Sequence, residues 1–537
     1  MGDDAAVRAD LEHGTLPRLV RAAARRYGPR EAVVEGRTRV TYAELGERVE
    51  RAAAACLASG IAPGDRVAVW APNTLDWIVS ALGAVTAGAV LVPVNTRFKG
   101  TEAAHLLHRT RARLLFVTGT FLGTSYVAAL RRATAETTGG LPHLDQVVVL
   151  SDSAPEGYRT WKQFLADGDR ITTEEVRRRA DTIRPDAPSD IIFTSGTTGR
   201  PKGAVITHEQ SLRCYGVWSE LAGLCTDDRY LIVNPFFHTF GYKAGILACL
   251  LRGAVMVPQP VSSVETTLAN LAAERISVLP GPPTLHQSLL DHPARGAHDL
   301  SALRLVVTGA AVVPLELVER LRGELGIRTV LTAYGLSEAS GLVTMCRRGD
   351  DPAVIAATSG RAIPDTEVRV LAEPGRPGEA PVFAEPGRPG EVLVRGHHVM
   401  RGYFEDPEET AKAVDADGWL HTGDVGVLDP AGNLRITDRI KDMFIVGGFN
   451  AYPAEIEQLL GRHPDITDVA VIGIPDPRLG EVAKAYAVRR PGAALTADDL
   501  IAWSRREMAN YKVPREVVFV SELPRNASGK LCKRNLR

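Results

Sequence analysis

The stretch D-I-I-F-T-S-G-T-T-G-R-P-K-G, residues 190–203, decides the reading of the chain. Asp190 is followed by Ile191, Ile192 and Phe193, a short apolar run of the kind that forms a buried strand. Glycines then stand at 196, 199 and 203. At such positions the backbone can adopt positive φ and approach a ligand closely. Successive backbone N–H groups in a turn of this kind form a concavity for anions. Thr194, Ser195, Thr197 and Thr198 add hydroxyl donors, and Lys202 adds a mobile positive charge. A strand that runs into such a loop suits a polyphosphate. The loop is not of the G-x-x-x-x-G-K-[ST] type. A plain Gly/Thr surface turn does not call for four hydroxyls, three glycines and a lysine within residues 193–203.

Outward from this loop, short β-branched runs alternate with helical stretches. Strands are expected at 66–70, 114–118, 146–150, 190–194, 254–257 and 303–308, and helices at 42–59 and 315–325. That alternation predicts an α/β fold with sheets covered on both faces. From about 366 to 437 the strands are short and separated by Gly and Pro, with examples at 390–395 and 433–437, which predicts a β-rich subdomain. The last hundred residues read as a small α+β domain: a helix near 453–462, strands at 468–473 and 483–489, and a helix near 497–508. The expected organisation is a large N-terminal domain over 1–437 and a small C-terminal domain over 442–537. The octapeptide AEPGRPGE occurs at 372–379 and again at 384–391. It reads as a duplicated surface loop with no chemistry of its own.

Composition narrows the class. The chain has 537 residues, more than one core usually serves. Lys and Arg number 63 against 64 Asp and Glu, a net charge of −1, so bulk charge gives no support to a nucleic-acid partner. An apolar fraction of 45% with 24% charged residues is ordinary for a soluble globular protein. Six cysteines, at 56, 214, 225, 249, 346 and 532, show no Cys-x-x-Cys spacing, which argues against a zinc site or a disulfide scaffold. The N-terminal stretch lacks the apolar segment of a signal peptide. Residues 77–94 carry no charge, but Gly83, Gly88 and Pro93 interrupt them. They are expected to form a buried helix at 75–87, a turn at Gly88 and a strand at 89–92, not a membrane span. A cytoplasmic enzyme, monomeric or homodimeric, is expected.

Further motifs follow in order. They are Y-G-L-S-E at 334–338, H-T-G-D at 421–424, DRIKDMFIVGGFNAYPAEIE at 438–457 and N-A-S-G-K at 526–530. Together with T-S-G-T-T-G-R-P-K-G they resemble the motif set of the adenylate-forming superfamily, which includes acyl-CoA synthetases, luciferases and peptide-synthetase adenylation domains. The resemblance runs over nearly the whole chain. It implies a large N-terminal domain, a small mobile C-terminal lid, and a hinge at 438–441 in which Lys441 carries the backbone rotation.

The superfamily joins an acid to the α-phosphate of ATP, releases pyrophosphate and passes the acyl group to a thiol, in most members coenzyme A. The resemblance implies that Thr194, Ser195, Gly196, Thr197, Thr198, Gly199 and Lys202 hold the β- and γ-phosphates. It makes Glu338 the Mg²⁺ ligand. Ser337 would bond the α-phosphate, and Tyr334 would offer a flat face to adenine. Gly309, Ala310 and Ala311 would form the small-residue wall opposite, and Thr332, Ala333 and Gly335 would complete the nucleotide site. Asp424 would accept the ribose hydroxyls beside Arg439. Lys530 would reach the oxygens between acyl group and α-phosphate, where charge develops in the transition state. After rotation, Gly447 and Gly448 would let a pantetheine arm pass.

The acid is approached through NPFFHTFGYKAG at 234–245. His238 resembles the superfamily's gate beside the acyl carbon. Tyr242 and Lys243 are candidate substrate-binding residues, and Lys243 is expected to run its stem along apolar surface and reach solvent. Residues 234–250, 278–294, 308–314 and 330–339 resemble actinobacterial CoA ligases that activate a ring-bearing propanoate. Some relatives of that group adenylate nitrite and deliver it to an aryl amine, so three readings stand at this point. They are an acid–CoA ligase, an adenylating enzyme with another acceptor such as an amine, and a nucleotide-binding protein without catalysis.

Overall fold

Runs with no polar alternation, such as RVAVW at Arg66–Trp70 and LVVTG at Leu305–Gly309, form strands covered on both faces. The computed structural model describes residues 8–136, 140–194, 201–261, 263–309, 313–373, 382–439, 442–446, 449–508, 510–525 and 531–536. Two large sheets organise the N-terminal part. One has nine strands, with a parallel centre in which Leu305–Gly309 lies between Val278–Gly281 and Thr329–Tyr334. The other has eight strands. There Pro188–Thr194 pairs in parallel with Val90–Pro93 and antiparallel with Lys202–Thr207. Helices fill the space between, as the alternating pattern predicts.

The uncharged stretch at 77–94 resolves into the helix Leu75–Thr86, the turn residue Gly88 with φ 95°, and the strand Val90–Pro93. Every residue of that helix except Asp76 is buried. It packs on the helix Tyr42–Ala58 so closely that a Cβ at Gly83 would lie 2.5 Å from the Ala52 Cβ. Among the described residues no helix is long and apolar enough to cross a membrane. All six cysteines are free, and four are buried.

Asn73 stitches the two large sheets together. Its amide donates to the carbonyls of Ile232 at 3.1 Å and Asn234 at 2.9 Å, and its oxygen accepts from the Phe236 N–H at 2.8 Å. The segment that follows the strand Arg229–Ile232 is therefore held from the opposite sheet.

The β-rich region is a five-stranded antiparallel sheet of Val382–Phe383, Thr366–Glu373, Gly390–Gly396, Leu420–Leu428 and Leu434–Arg439 in that order. The second AEPGRPGE copy runs as a largely exposed loop up to Pro389, as expected, and Gly390 then opens the strand expected at 390–395, followed by Glu391. Its carboxylate pairs with His421 Nδ1 at 2.9 Å and accepts from the Gly423 N–H at 3.1 Å. The spacing of a repeat carries no trace of such a cross-strand contact. Most of the first copy lies outside the described residues.

The C-terminal part is a separate sheet of Phe449–Ala451, Phe444–Val446, Gly480–Arg489 and Ile466–Asp476, with Glu516–Phe519 added on Gly480–Arg489. The helices Pro453–Leu460 and Ala497–Glu507 supply Ile456, Leu460 and Leu500 to its core.

Candidate active site

Parallel strands deliver their carboxyl ends to one cleft, the usual place for a ligand in an open α/β sheet. Thr194 ends the strand Pro188–Thr194, and Lys202 begins its antiparallel neighbour directly opposite. The Thr194 hydroxyl donates to Glu338 Oε1 at 3.3 Å. The Tyr403 hydroxyl donates to the same oxygen at 2.9 Å. Glu338 sits in a short 3-10 turn, Ser337–Ala339, just past the strand Thr329–Tyr334, and its carbonyl accepts from the Met400 N–H at 2.8 Å. Glu338 thus joins the exits of both large sheets and the segment between two strands of the β-rich sheet, Gly390–Gly396 and Leu420–Leu428.

Lys202 lies over the Tyr403 ring, with Nζ 5.0 Å from its centroid, and pairs with Glu409. Glu409 also pairs with Lys412 at 2.7 Å, and the two ammonium groups hold its carboxyl down to about 2. Burial and the negative charge of Glu338 push the Tyr403 hydroxyl above its ordinary value, so it remains a donor.

The residues expected to take the nucleotide continue at the end of Thr329–Tyr334. The Tyr334 hydroxyl donates to Asp424 Oδ2 at 2.5 Å, and Asp424 is buried. Ser337 is buried one turn away. Gly309 pairs with Ala333 in the parallel register, and a Cβ on Gly309 would lie 2.6 Å from the Ala333 carbonyl oxygen. A Cβ on Gly335 would overlap the Gly341 backbone. Close strand packing thus demands small residues at both positions. The Thr332 hydroxyl turns the other way and donates to the Thr358 carbonyl at 2.8 Å. Ser195, Gly196, Thr197, Thr198, Gly199, Ala310, Ala311, Lys441, Gly447, Gly448 and Lys530 lie outside the described residues, and Arg439 is described in its backbone alone.

In the segment expected to face the acid, His238 precedes a short helical turn, Thr239–Gly241, and its Nδ1 accepts from the Phe240 N–H at 3.2 Å. A π-helical turn, Tyr242–Leu247, follows. Tyr242 is fully buried, with its ring 5.7 Å from that of Trp77. Burial raises its hydroxyl pKa, with Asp190 adding to the effect. The expectation for Lys243 is overturned. It does not reach solvent, for its side chain is completely buried and its Nζ lies 2.9 Å from Asp190 Oδ1. It also donates to Ser211 at 3.0 Å. A carboxylate inside the core offers the ammonium a partner that an apolar stem could not.

A sequence profile described as "AMP-binding enzyme" matches residues 20–404, and one described as "AMP-binding enzyme C-terminal domain" matches residues 455–530. The chain belongs to the AMP-binding enzyme family. It is 51% identical over 524 residues to 3-[(3aS,4S,7aS)-7a-methyl-1,5-dioxo-octahydro-1H-inden-4-yl]propanoyl:CoA ligase from Rhodococcus jostii, covering 97% of this chain and 98% of that one. The protein of the same name from Mycobacterium tuberculosis is 50% identical over 523 residues, with the same coverage. Among solved structures, an anthranilate CoA ligase in complex with anthranoyl-AMP matches with a TM-score of 0.83 at 25% identity, covering 97% of this chain and 96% of that one.

In this AMP-binding enzyme the oxygen donors at Glu338 fit a magnesium ion. Among the described residues no group of three or more His, Cys, Asp or Glu forms a metal cage. Magnesium carried on a triphosphate needs only one or two protein carboxylates and prefers hard oxygen ligands. Glu338, flanked by the hydroxyls of Thr194 and Tyr403, offers such a set.

Several of these site residues left no mark in the motif reading. Tyr403 reaches Glu338 across 65 positions, and Glu409 reaches Lys202 across 207. Arg109 donates to the Pro201 carbonyl at 2.7 Å and pairs with Asp406 at 3.4 Å, which fixes the exit of the phosphate loop. The one sequence signal was the R-G-Y-F-E-D-P stretch at 401–407, whose Gly and Pro mark a turn without naming its partner.

Proposed function

We propose that the protein is an ATP-dependent acid–CoA ligase that forms an acyl-adenylate, then a thioester, and acts on a propanoate borne on a fused ring system. The observation that carries the adenylation step is the meeting of Thr194 and Tyr403 on Glu338 beside the Tyr334–Asp424 pair. The acceptor and the acid are argued from the two relatives that are half identical over nearly the whole chain.

A carboxylate resists attack because its leaving group would be oxide. Bonding it to the α-phosphate replaces oxide with AMP, a good leaving group, and expels pyrophosphate. The two reactants are both anions, so the site must supply positive charge and oriented donors. Lys202 and the phosphate loop hold the β- and γ-phosphates, and Ser337 orients the α-phosphate. Magnesium held at Glu338 would neutralise phosphate charge. Asp424 takes the ribose hydroxyls, and Tyr334 is fixed by Asp424 so that its ring faces the adenine. His238 closes the acyl side. Lys530 stabilises the charge that develops between acid and α-phosphate. After release of pyrophosphate the C-terminal domain turns about Lys441, and Gly447 and Gly448 admit the pantetheine thiol, which attacks the acyl carbon and expels AMP. ATP and CoA as co-substrates suit a cytoplasmic enzyme.

The test is pyrophosphate release over a panel of fatty acids, aryl acids, ring-bearing propanoates and nitrite with an aryl amine. Each is run with and without CoA, and products are identified by mass spectrometry. Turnover of a ring-bearing propanoate to a thioester, only with CoA, is expected. CoA-independent turnover of nitrite and amine overturns the acceptor. Within this reading, Lys530→Ala lowers adenylation by at least ~10²-fold, as loss of a preorganised charge donor does, and spares thioester formation from supplied acyl-adenylate. Equal loss in both steps refutes the alternation of domain faces.

A further inference from the structure

The Lys243–Asp190 pair takes no part in the chemistry above, yet both side chains are completely buried. Taking two charges out of water is costly, and apolar replacements of such pairs are often as stable or more so. The position of the pair suggests what it does instead. Asp190 stands four residues before Thr194 on the strand that delivers the phosphate loop, and is in register with Leu91 on the neighbouring strand. Ser189 donates to its second oxygen at 2.6 Å. Lys243 stands five residues after His238, inside the π-helical turn Tyr242–Leu247. The pair is thus a direct side-chain link between the phosphate-loop strand and the acyl-side segment.

The segment around Lys243 is tightly constrained. A Cβ on Gly241 would overlap the carbonyl oxygens of Pro235 and Asn234, and one on Gly245 would lie 3.0 Å from Ile232. A π-turn widens the helix by one residue, is rare, and is frequent at functional sites. The Ala244 carbonyl within it accepts from the buried Tyr230 hydroxyl at 2.8 Å. Around the ammonium stand Asp190 and three residues of the helix His208–Ala222, namely Ser211, His208 and Cys214. Burial and the charge of Lys243 hold the His208 imidazole down to about 3, so it stays neutral and its Nδ1 accepts from the Leu16 N–H at 3.3 Å.

We propose that Lys243 and Asp190 are positioning residues: their buried ion pair fixes the π-helical register of residues 242–247 and so the distance between His238 and the phosphate-loop strand. The acid is bound on one side of that gap and the α-phosphate on the other. The inference rests on the adenylation reading but not on CoA as acceptor.

The experiment compares K243M with the double variant D190N/K243M, in which no buried charge is stranded. Thermal midpoints are measured for both, and KM for ATP and for the acid by pyrophosphate release. The acid is the one that the wild-type protein turns over best, so a wrong acceptor or a wrong substrate class leaves the test intact. K243M is expected to lose several degrees of thermal midpoint, and the double variant to regain most of the loss. The double variant is expected to raise KM for the acid about tenfold while KM for ATP stays within about twofold, because small misplacement of reacting groups is expensive. Restored stability with an unchanged KM for the acid makes the pair merely structural and overturns the proposal. If the double variant does not fold, Ser211→Ala decides, since it removes one hydrogen bond from Lys243 and keeps both charges. A selective rise in KM for the acid supports the proposal, and no rise overturns it.

Discussion

On the side that the proposed function gives to the nucleotide, Thr194, Glu338, Tyr403, Tyr334 and Asp424 meet through hydroxyls and carboxylates. On the acyl side, residues 234–245 are held by Asn73 contacts to backbone, by glycines with no room for a Cβ, and by an ion pair sealed in the core. In the proposed function the first arrangement handles a group common to every turnover, and it joins four motif residues to Tyr403, which lies outside the motifs. The second would fit one acid, and both are assembled from segments far apart in the chain. Damage to the nucleotide side should therefore be independent of the acid, and damage to the acyl side should not.

The largest effect expected is from Glu338→Ala, which lowers adenylation about 10²–10³-fold. Pyrophosphate release should show the same factor for every acid accepted, and a factor that varies with the acid breaks the comparison. Next, Asp424→Ala removes a buried acceptor from Tyr334 and from the ribose. Loss of hydrogen bonds to a charged group, about 1.5–3 kcal/mol, raises KM for ATP by roughly 10–150-fold. A larger rise in KM for the acid than for ATP would count against the ribose role.

Gly241→Ala tests the other side. The new Cβ overlaps two carbonyl oxygens, so the turn after His238 must shift. KM for the acid should rise about tenfold with KM for ATP little changed, and parallel rises would mean that the two sides are not separable. Tyr403→Phe is expected to be milder than Asp424→Ala. Its hydrogen bond to the Glu338 carboxylate, worth about 1.5 kcal/mol, is lost while Thr194 keeps its own, so kcat/KM for ATP falls roughly tenfold. No change would remove Tyr403 from the site.

The smallest effect is a pH dependence. Glu391 raises the pKa of His421 above its ordinary value through their hydrogen bond, with Asp415 adding to it. A raised folded-state value means that this contribution to stability is complete below the unfolded value of about 6.5. It is lost as pH rises through the higher folded value. Thermal midpoints of the protein and of Glu391→Gln should converge over that range. A constant gap would show that His421 does not titrate with Glu391.

The legible parts of the fold were those with strong local patterns. Leu315–Leu325 is a helix and Arg66–Trp70 a strand at the positions read from the sequence, because amphipathic spacing and β-branched runs fix such elements locally. The motif residues Thr194, Glu338, Tyr334 and Asp424 were singled out by another route, the resemblance of their short motifs, in order, to those of the adenylate-forming superfamily. Lys243 could not be placed correctly. A lysine after an aromatic run reads as snorkelling until Asp190 is found beside it, and that contact depends on how strand Pro188–Thr194 packs against the π-turn. The strand that carries Glu391 was legible but its cross-strand contact with His421 was not, and Tyr403 and Glu409 were hidden by long separations in the chain.

The short pairing of Gly402–Tyr403 on Lys202–Thr207, with the Phe404 N–H donating to the Gly203 carbonyl, has a mechanical consequence. Gly402–Tyr403 lies in the chain between the β-rich strands Gly390–Gly396 and Leu420–Leu428, yet it pairs at the edge of the eight-stranded sheet. Torque arriving through the β-rich sheet is then borne in shear by these few backbone bonds and by the bridge from Arg109 to Pro201 and Asp406. The load path ends at Lys202 and Glu338, so in the proposed function the residues assigned to the triphosphate would also be the anchor against which the rest of the chain can pull.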